Sequence, residues 1–237
     1  MSQKTILKQK KKSQKNQQKT KINQKIKQKD KVKSKSGIKK RIAIHALEKQ
    51  LTIIKLREWL IVIGFILGGA GLRSVMQVVP SAEPITFFAI LSGWLFGKKK
   101  GFITGAGTLF ASNFLVMGGQ GPWTIFQAIG FGIAGFLGGF LKGKSGRIKA
   151  IIIVIIATVI FEITVNLGSL MIFPGGLFLF LTALPFTLIH LVSNTIFAVF
   201  IPKTKKFIEE KGEFNQREIC QDLLKKLKLS KTDNENL

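Results

Sequence analysis

The sequence predicts an all-α integral membrane protein, a bundle of six transmembrane helices with cytoplasmic N- and C-termini. Three observations carry that expectation. Long apolar runs punctuated by Pro and Gly fill residues 59–203, the internal basic residues gather at Lys98 to Lys100 and Lys142 to Lys149, and residues 1–41 are almost wholly Lys, Gln, Ser and isolated Ile. Overall composition is less decisive: 237 residues, 46% hydrophobic, with mean hydropathy +0.27, suit a soluble domain or a small membrane bundle equally. The net charge of +25 would point to nucleic acid if it lay on the apolar part. Most of it lies in the arm, which has no aromatic side chain to stack on a base, so nucleic acid is not the expected partner.

Taken in order, residues 1–41 cannot bury enough apolar area to offset chain entropy and are expected to form a disordered cytoplasmic arm that touches anionic lipid. Residues 42–58 place Ile42, Leu47, Leu51 and Ile54 at helical spacing, giving an amphipathic lead-in helix with His45 on its surface. The first span, 59–78, has Gly64 and Gly68 four residues apart, then Gly69, Ala70 and Gly71. Such a bare face admits another helix, either from a partner or from the same bundle. Arg73 near its end needs a counter-charge, and Glu83 is the nearest acid that follows it. The second span, 84–97, is short for an upright crossing. The third covers 101–117, and the fourth 122–141 opens on Pro122, whose missing N–H is no loss in a first helical turn. The fifth, 150–173, carries Glu162 and Asn166 on one face. Pro174-Gly175-Gly176 makes a turn, and the sixth span, 177–201, contains Pro185, a predicted kink, followed by His190, Ser193 and Asn194. Residues 204–237 form a cytoplasmic tail with an amphipathic piece from Ile219 to Leu229.

Charge orients the bundle. The arm, both internal basic clusters and Lys203 to Lys206 fall on one side of a six-span arrangement, whereas the three remaining loops hold no Lys or Arg. The expected location is the plasma membrane with both ends inside and the Gln120 to Trp123 turn outside. Polar side chains then stand out within the spans: Asn113, Gln127, Glu162, Asn166, His190 and Asn194. In hydrocarbon such groups face a cavity or one another. Glu162 requires pairing, protonation or solvent. Residues 138–145, GGFLKGKS, match the phosphate-loop pattern. They close a spanning helix instead of following a strand, so no nucleotide site is expected. His45 and His190 lie on separate segments and Cys220 is alone, so neither a metal, nor any other cofactor, nor a disulfide within the chain is expected. No Ser sits in a nucleophile elbow, and the chain is not expected to be an enzyme. A secretory leader is not expected either, because the basic run is too long and no small-residue cleavage site follows it.

Glu83-Pro84-Ile-Thr86, Gly97-Lys-Lys-Lys-Gly101-Phe-x-x-Gly105, Ser112-Asn113-Phe114 and Gly119-Gln120-Gly121-Pro122-Trp123-Thr124-x-x-Gln127 occur in that order. This succession resembles the substrate-binding S components of energy-coupling factor (ECF) transporters, nearest the cobalamin-like branch and others of unassigned micronutrient, over about 59–203. The resemblance implies six helices, a ligand pocket closed by external loops, and energy from a separate scaffold subunit with two ATPase subunits. It implies a vitamin or related micronutrient, corrinoids included, held between the outer ends of the last three helices. Trp123 would stack on it, with Gln120, Gln127 and Asn166 as donors and acceptors. Asn113 would orient the turn, and Glu162 would receive a ligand amide or pair with a helix neighbour; His190 and Asn194 complete the candidate set. Gly64 and Gly68 would meet the scaffold where family members carry an Ala-x-x-x-Ala face. Ile125-Phe126 departs from the Pro-Trp frequent in the family, and the lysine arm is not a family feature. The competing expectation is an assembly protein whose arm holds a cytoplasmic partner, anionic lipid or nucleic acid, with the bundle as its anchor. A stand-alone channel fits less well, since few charges line any helix.

Overall fold

A computed structural model describes the backbone of residues 3–141, 145–212 and 216–235, and the side chains of 38–141, 145–211, 216–217 and 219–229. Among the described residues there are eight helices and no strand: α1 (Gln3–Met76), α2 (Ile85–Phe96), α3 (Lys98–Ser112), α4 (Trp123–Gly138), α5 (Arg147–Ile172), α6 (Phe178–Ala198), α7 (Ile201–Gly212) and α8 (Gln216–Glu235). Three are long and apolar enough to cross a membrane, over Ile38–Met76, Arg147–Ile172 and Phe178–Ala198. Helices α2 and α4 are apolar but shorter.

The expected arm, lead-in helix and first span form one continuous helix, α1. The lysine stretch therefore differs from the disorder expected of it. Lys and Gln are good helix formers, and neither Pro nor Gly interrupts the chain between Gln3 and Ser36. The phosphate-loop pattern cannot be traced through, because Lys142 to Lys144 lie outside the described residues.

The chain divides into two units. The first comprises Met1–Ile53 and Arg217–Leu237. In it Lys228 Nζ pairs with Glu48 Oε1 at 2.8 Å, and that hydrogen bond and charge hold the Glu48 carboxyl below its usual range. Cys220 is a buried free thiol.

The second unit is Ile54–Gln216. Its helices are joined by turns that the sequence punctuates. Gly97 alone separates α2 from α3 at φ 93, and Gly118, Gly119, Gly175 and Gly176 also take positive φ. Helix α3 packs on α4, α4 on α5, α5 on α6, and α2 against both α3 and α4. One core cluster joins Ile90, Leu91, Trp94, Ala134, Val154, Ala157, Ala198 and Ile201; a second joins Ile85, Leu109, Phe131 and Phe161. The α3–α4 contact is backbone on backbone. A Cβ on Gly101 or on Gly105 would collide with the carbonyl of Gly135 or Phe131 respectively, so only glycine permits this approach. On α1, by contrast, Gly64 and Gly68 have nothing within 4 Å of a built Cβ.

Candidate functional site

The polar side chains of the bundle collect into two clusters. The first lies at the end where α1 and α3 terminate. Arg73 Nη1 donates to Ser112 Oγ at 2.8 Å and to Asn113 Oδ1 at 2.7 Å, while Nη2 donates to Glu83 Oε1 at 3.2 Å. Glu83 is thus the counter-charge for Arg73. Asn113, 3% exposed, passes the network on: its Nδ2 donates to Thr124 Oγ1 at 3.2 Å, and that oxygen also accepts from the Gly121 N–H at 3.0 Å. Asn113 thereby fixes the turn leading into α4. Gln120 is exposed, its Nε2 donating to Phe110 O at 2.8 Å, and Trp123 folds its half-buried ring back against Gly121.

The second cluster is interior. Glu162 on α5 meets α6 twice, with Oε1 2.7 Å from His190 Nδ1 and Oε2 accepting from Thr187 Oγ1 at 2.7 Å. His190 is 2% exposed and its ring lies edge-on to Phe161, centroids 5.0 Å apart, with Phe131 also against it at 6.2 Å. One turn on, Asn194 Nδ2 donates to Thr158 Oγ1 at 2.9 Å and Thr86 Oγ1 at 3.2 Å, tying α6 to α5 and α2. Buried His190 Nε2, Asn194 Oδ1 and Gln127 Oε1 have no hydrogen-bond partner. A buried orphan of this kind costs about 1–3 kcal/mol. Gln127 stands one helical turn before Phe131, which stacks on Phe161 at 4.1 Å. Asn166 is half-buried one turn beyond Glu162.

The eight candidate residues therefore separate. Asn113 and Gln120 lie in the α3–α4 loop and Trp123 opens α4, while Glu162, His190 and Asn194 share the interior and Gln127, on α4, has its Oε1 buried. Sequence reasoning missed Thr86, Thr158, Thr187 and Ser112 as partners. Thr187 and Thr158 sit at i−3 from His190 and i−4 from Glu162, a spacing that places each on the same helix face as its neighbour but does not name its partner. The basic residues at the other end are anchored as well. Lys100 bonds the buried Glu58 and lies over Trp59, and Lys98 lies 3.4 Å over the Phe140 ring. No group of three or more His, Cys, Asp or Glu suited to a metal occurs among the described residues.

An all-helical chain with three helices able to cross a membrane, and imidazole and amide groups buried on one of them, is of the helical membrane protein class. The chain belongs to DUF6580, a family of unknown function, through residues 54–213. That match nearly coincides with the second unit, Ile54–Gln216, and leaves the lysine-rich stretch outside it. No curated protein and no solved structure matches the chain.

Proposed function

We propose that this protein is the membrane-embedded, substrate-binding subunit of an ECF-type importer for a vitamin or related micronutrient, corrinoids included. On this reading the bundle crosses the plasma membrane six times with both ends inside, and ATP is hydrolysed by two partner ATPases acting through a scaffold subunit. The observation that carries the reading is the set of orphaned polar atoms, Gln127 Oε1 on α4 and His190 Nε2 and Asn194 Oδ1 on α6, buried in the bundle, with His190 also held by the Glu162 carboxylate. Buried polar groups are mostly paired, so several orphaned ones within the bundle support a role beyond packing. A ligand bearing amide or hydroxyl donors satisfies Gln127 and Asn194, and His190, its Nδ1 held by Glu162, presents Nε2 to it. Trp123 closes the outer lip, positioned by the Asn113 to Thr124 link. The open Gly64 and Gly68 face on α1 supports a docking role for the scaffold subunit.

The test is native mass spectrometry of the purified protein for a small molecule retained at one per chain, followed by affinity measurements on variants. Trp123→Ala and Gln127→Ala are each expected to weaken binding about tenfold or more, the worth of one stacking or buried hydrogen-bonding contact. Unchanged affinity in both variants refutes the reading. The family match ends at residue 213 and begins at 54, which favours the bundle over the arm as the functional part. Deleting residues 1–41 should accordingly leave ligand binding intact.

A further inference from the structure

Helix α5 has 26 residues, ~39 Å at about 1.5 Å each, against ~30 Å of hydrocarbon and about 40–45 Å of bilayer with its headgroups. Centred on the hydrocarbon, it brings its first turn, with Arg147 and Lys149, to headgroup depth. There a cleft of about 400 Å³ opens between α5 and the turn that closes α4, walled by Phe140, Leu141, Ser145, Lys149, Ile152 and Ile153.

The charge around this cleft has one sign. Lys149 is exposed, and no carboxylate among the described residues pairs with it. None stands near it in the chain either, since no Asp or Glu occurs between Pro84 and Phe161. Behind the aromatic wall a second cation adds to the first: Lys98 Nζ lies 3.4 Å over the Phe140 ring. The cleft thus presents an accessible ammonium with no counter-charge, and that calls for an anion. Below the ammonium the wall turns apolar. Lys149, Ile152, Ile153 and Ile156 share one face of α5 at three- and four-residue spacing, and Ile152 and Ile156 are exposed along a helix apolar enough to cross a bilayer. A molecule that fits this face has an anionic head and an apolar chain that descends from it.

We propose that this cleft binds one phospholipid of net negative charge, with its phosphate accepting from Lys149 Nζ and an acyl chain lying along Ile152 and Ile156. Basic pockets between membrane helices at headgroup depth hold anionic lipids in this way. A zwitterionic lipid already sets its own cation against its phosphate, so it gains less from Lys149. The site belongs to the bundle and is separate from the lysine-rich stretch of α1. It stands independently of the importer reading.

The test releases the full chain from nanodiscs made of equal parts phosphatidylglycerol and phosphatidylcholine and weighs the lipid held longest. Phosphatidylglycerol should be retained about fivefold over phosphatidylcholine, the preference expected of one lysine beside an anionic headgroup. Lys149→Gln should bring that ratio close to one. Ile152→Trp, which fills the cleft below the ammonium, should lower retention of both lipids. Lys99→Gln removes the same charge from an exposed lysine outside the cleft and should leave the ratio unchanged, which separates the cleft from the general attraction of a basic surface. Equal retention of the two lipids by the parent protein, a preference that survives Lys149→Gln, an equal loss in Lys99→Gln, or unchanged retention in Ile152→Trp overturns the proposal.

Discussion

Arg73 shows how a charge is accommodated near the end of an apolar helix. Its guanidinium gathers acceptors from the α1–α2 loop and from the end of α3, and the side chains of Arg73 and Glu83 are only 13% and 18% exposed. Breaking a largely buried pair costs more than deleting it, because the survivor keeps its desolvation penalty. Arg73→Ala is therefore expected to destabilise by about 3 kcal/mol, whereas Arg73→Ala with Glu83→Ala should recover part of the loss. Melting temperatures of the two variants in one detergent check this, and a double variant no better than the single one would contradict it. The pairing itself was legible in the sequence, since Glu83 is the first acid after an arginine that hydrocarbon will not tolerate alone. Ser112 and Asn113 were not legible as acceptors, because they lie 39 and 40 residues away and meet Arg73 only when α1 packs beside α3. The threonines hid for a different reason. Thr158 and Thr187 also bond their own preceding turns, and a sequence does not distinguish that local bond from one across helices.

At the level of helices, the glycines divide into two populations that the sequence presents alike. Gly101 and Gly135 stand where α3 and α4 touch through backbone, and any Cβ collides with a carbonyl group. Gly64 and Gly68 on α1 are exposed and have open space around them. Small-residue spacing announces that a close approach is possible, but it does not say whether the approaching helix belongs to the same chain. The two sets answer differently to the same substitution. Gly101→Leu should abolish folding, seen as aggregation on size exclusion, because backbone cannot move aside as a flexible side chain can. Gly68→Leu should stay within about 0.5 kcal/mol of the parent protein and, on the importer reading, should lose a co-purifying scaffold subunit. A destabilised Gly68→Leu would mean that the face is already occupied. Turn placement was well read from sequence, since Gly97, Pro122 and the Pro174 to Gly176 turn bound the helices observed. The continuity of α1 was not, because low hydrophobicity argues against a packed core but does not forbid a helix.

The whole molecule raises a question of parity. At about 1.5 Å per residue, the 12, 15 and 16 residues of α2, α3 and α4 reach only ~18 to 24 Å, less than the ~30 Å of hydrocarbon in a typical bilayer. If α1, α5 and α6 alone crossed, the two ends of the chain would lie on opposite sides, and Lys203 to Lys206 would sit outside. On the importer reading all six helices cross, and the packing is compatible with that. Ile85, Leu109 and Phe131 from the short helices share one core layer with Phe161 of α5, so α2, α3 and α4 lie alongside α5 instead of forming a cap beyond it. Short helices at that depth cross if the bilayer thins or the helices are continued by their loops, at fractions of a kcal/mol per Å. Six crossings then return every basic cluster to one face. The two arrangements differ at a single measurable place. In a Cys220→Ser background, Lys206→Cys, at a side chain 76% exposed, should resist a membrane-impermeant thiol reagent in intact cells and react after permeabilisation, whereas Met117→Cys, at a residue 92% exposed, should react at once. Labelling of Lys206→Cys from outside would place the C-terminal end outside and remove the topological basis of the importer reading.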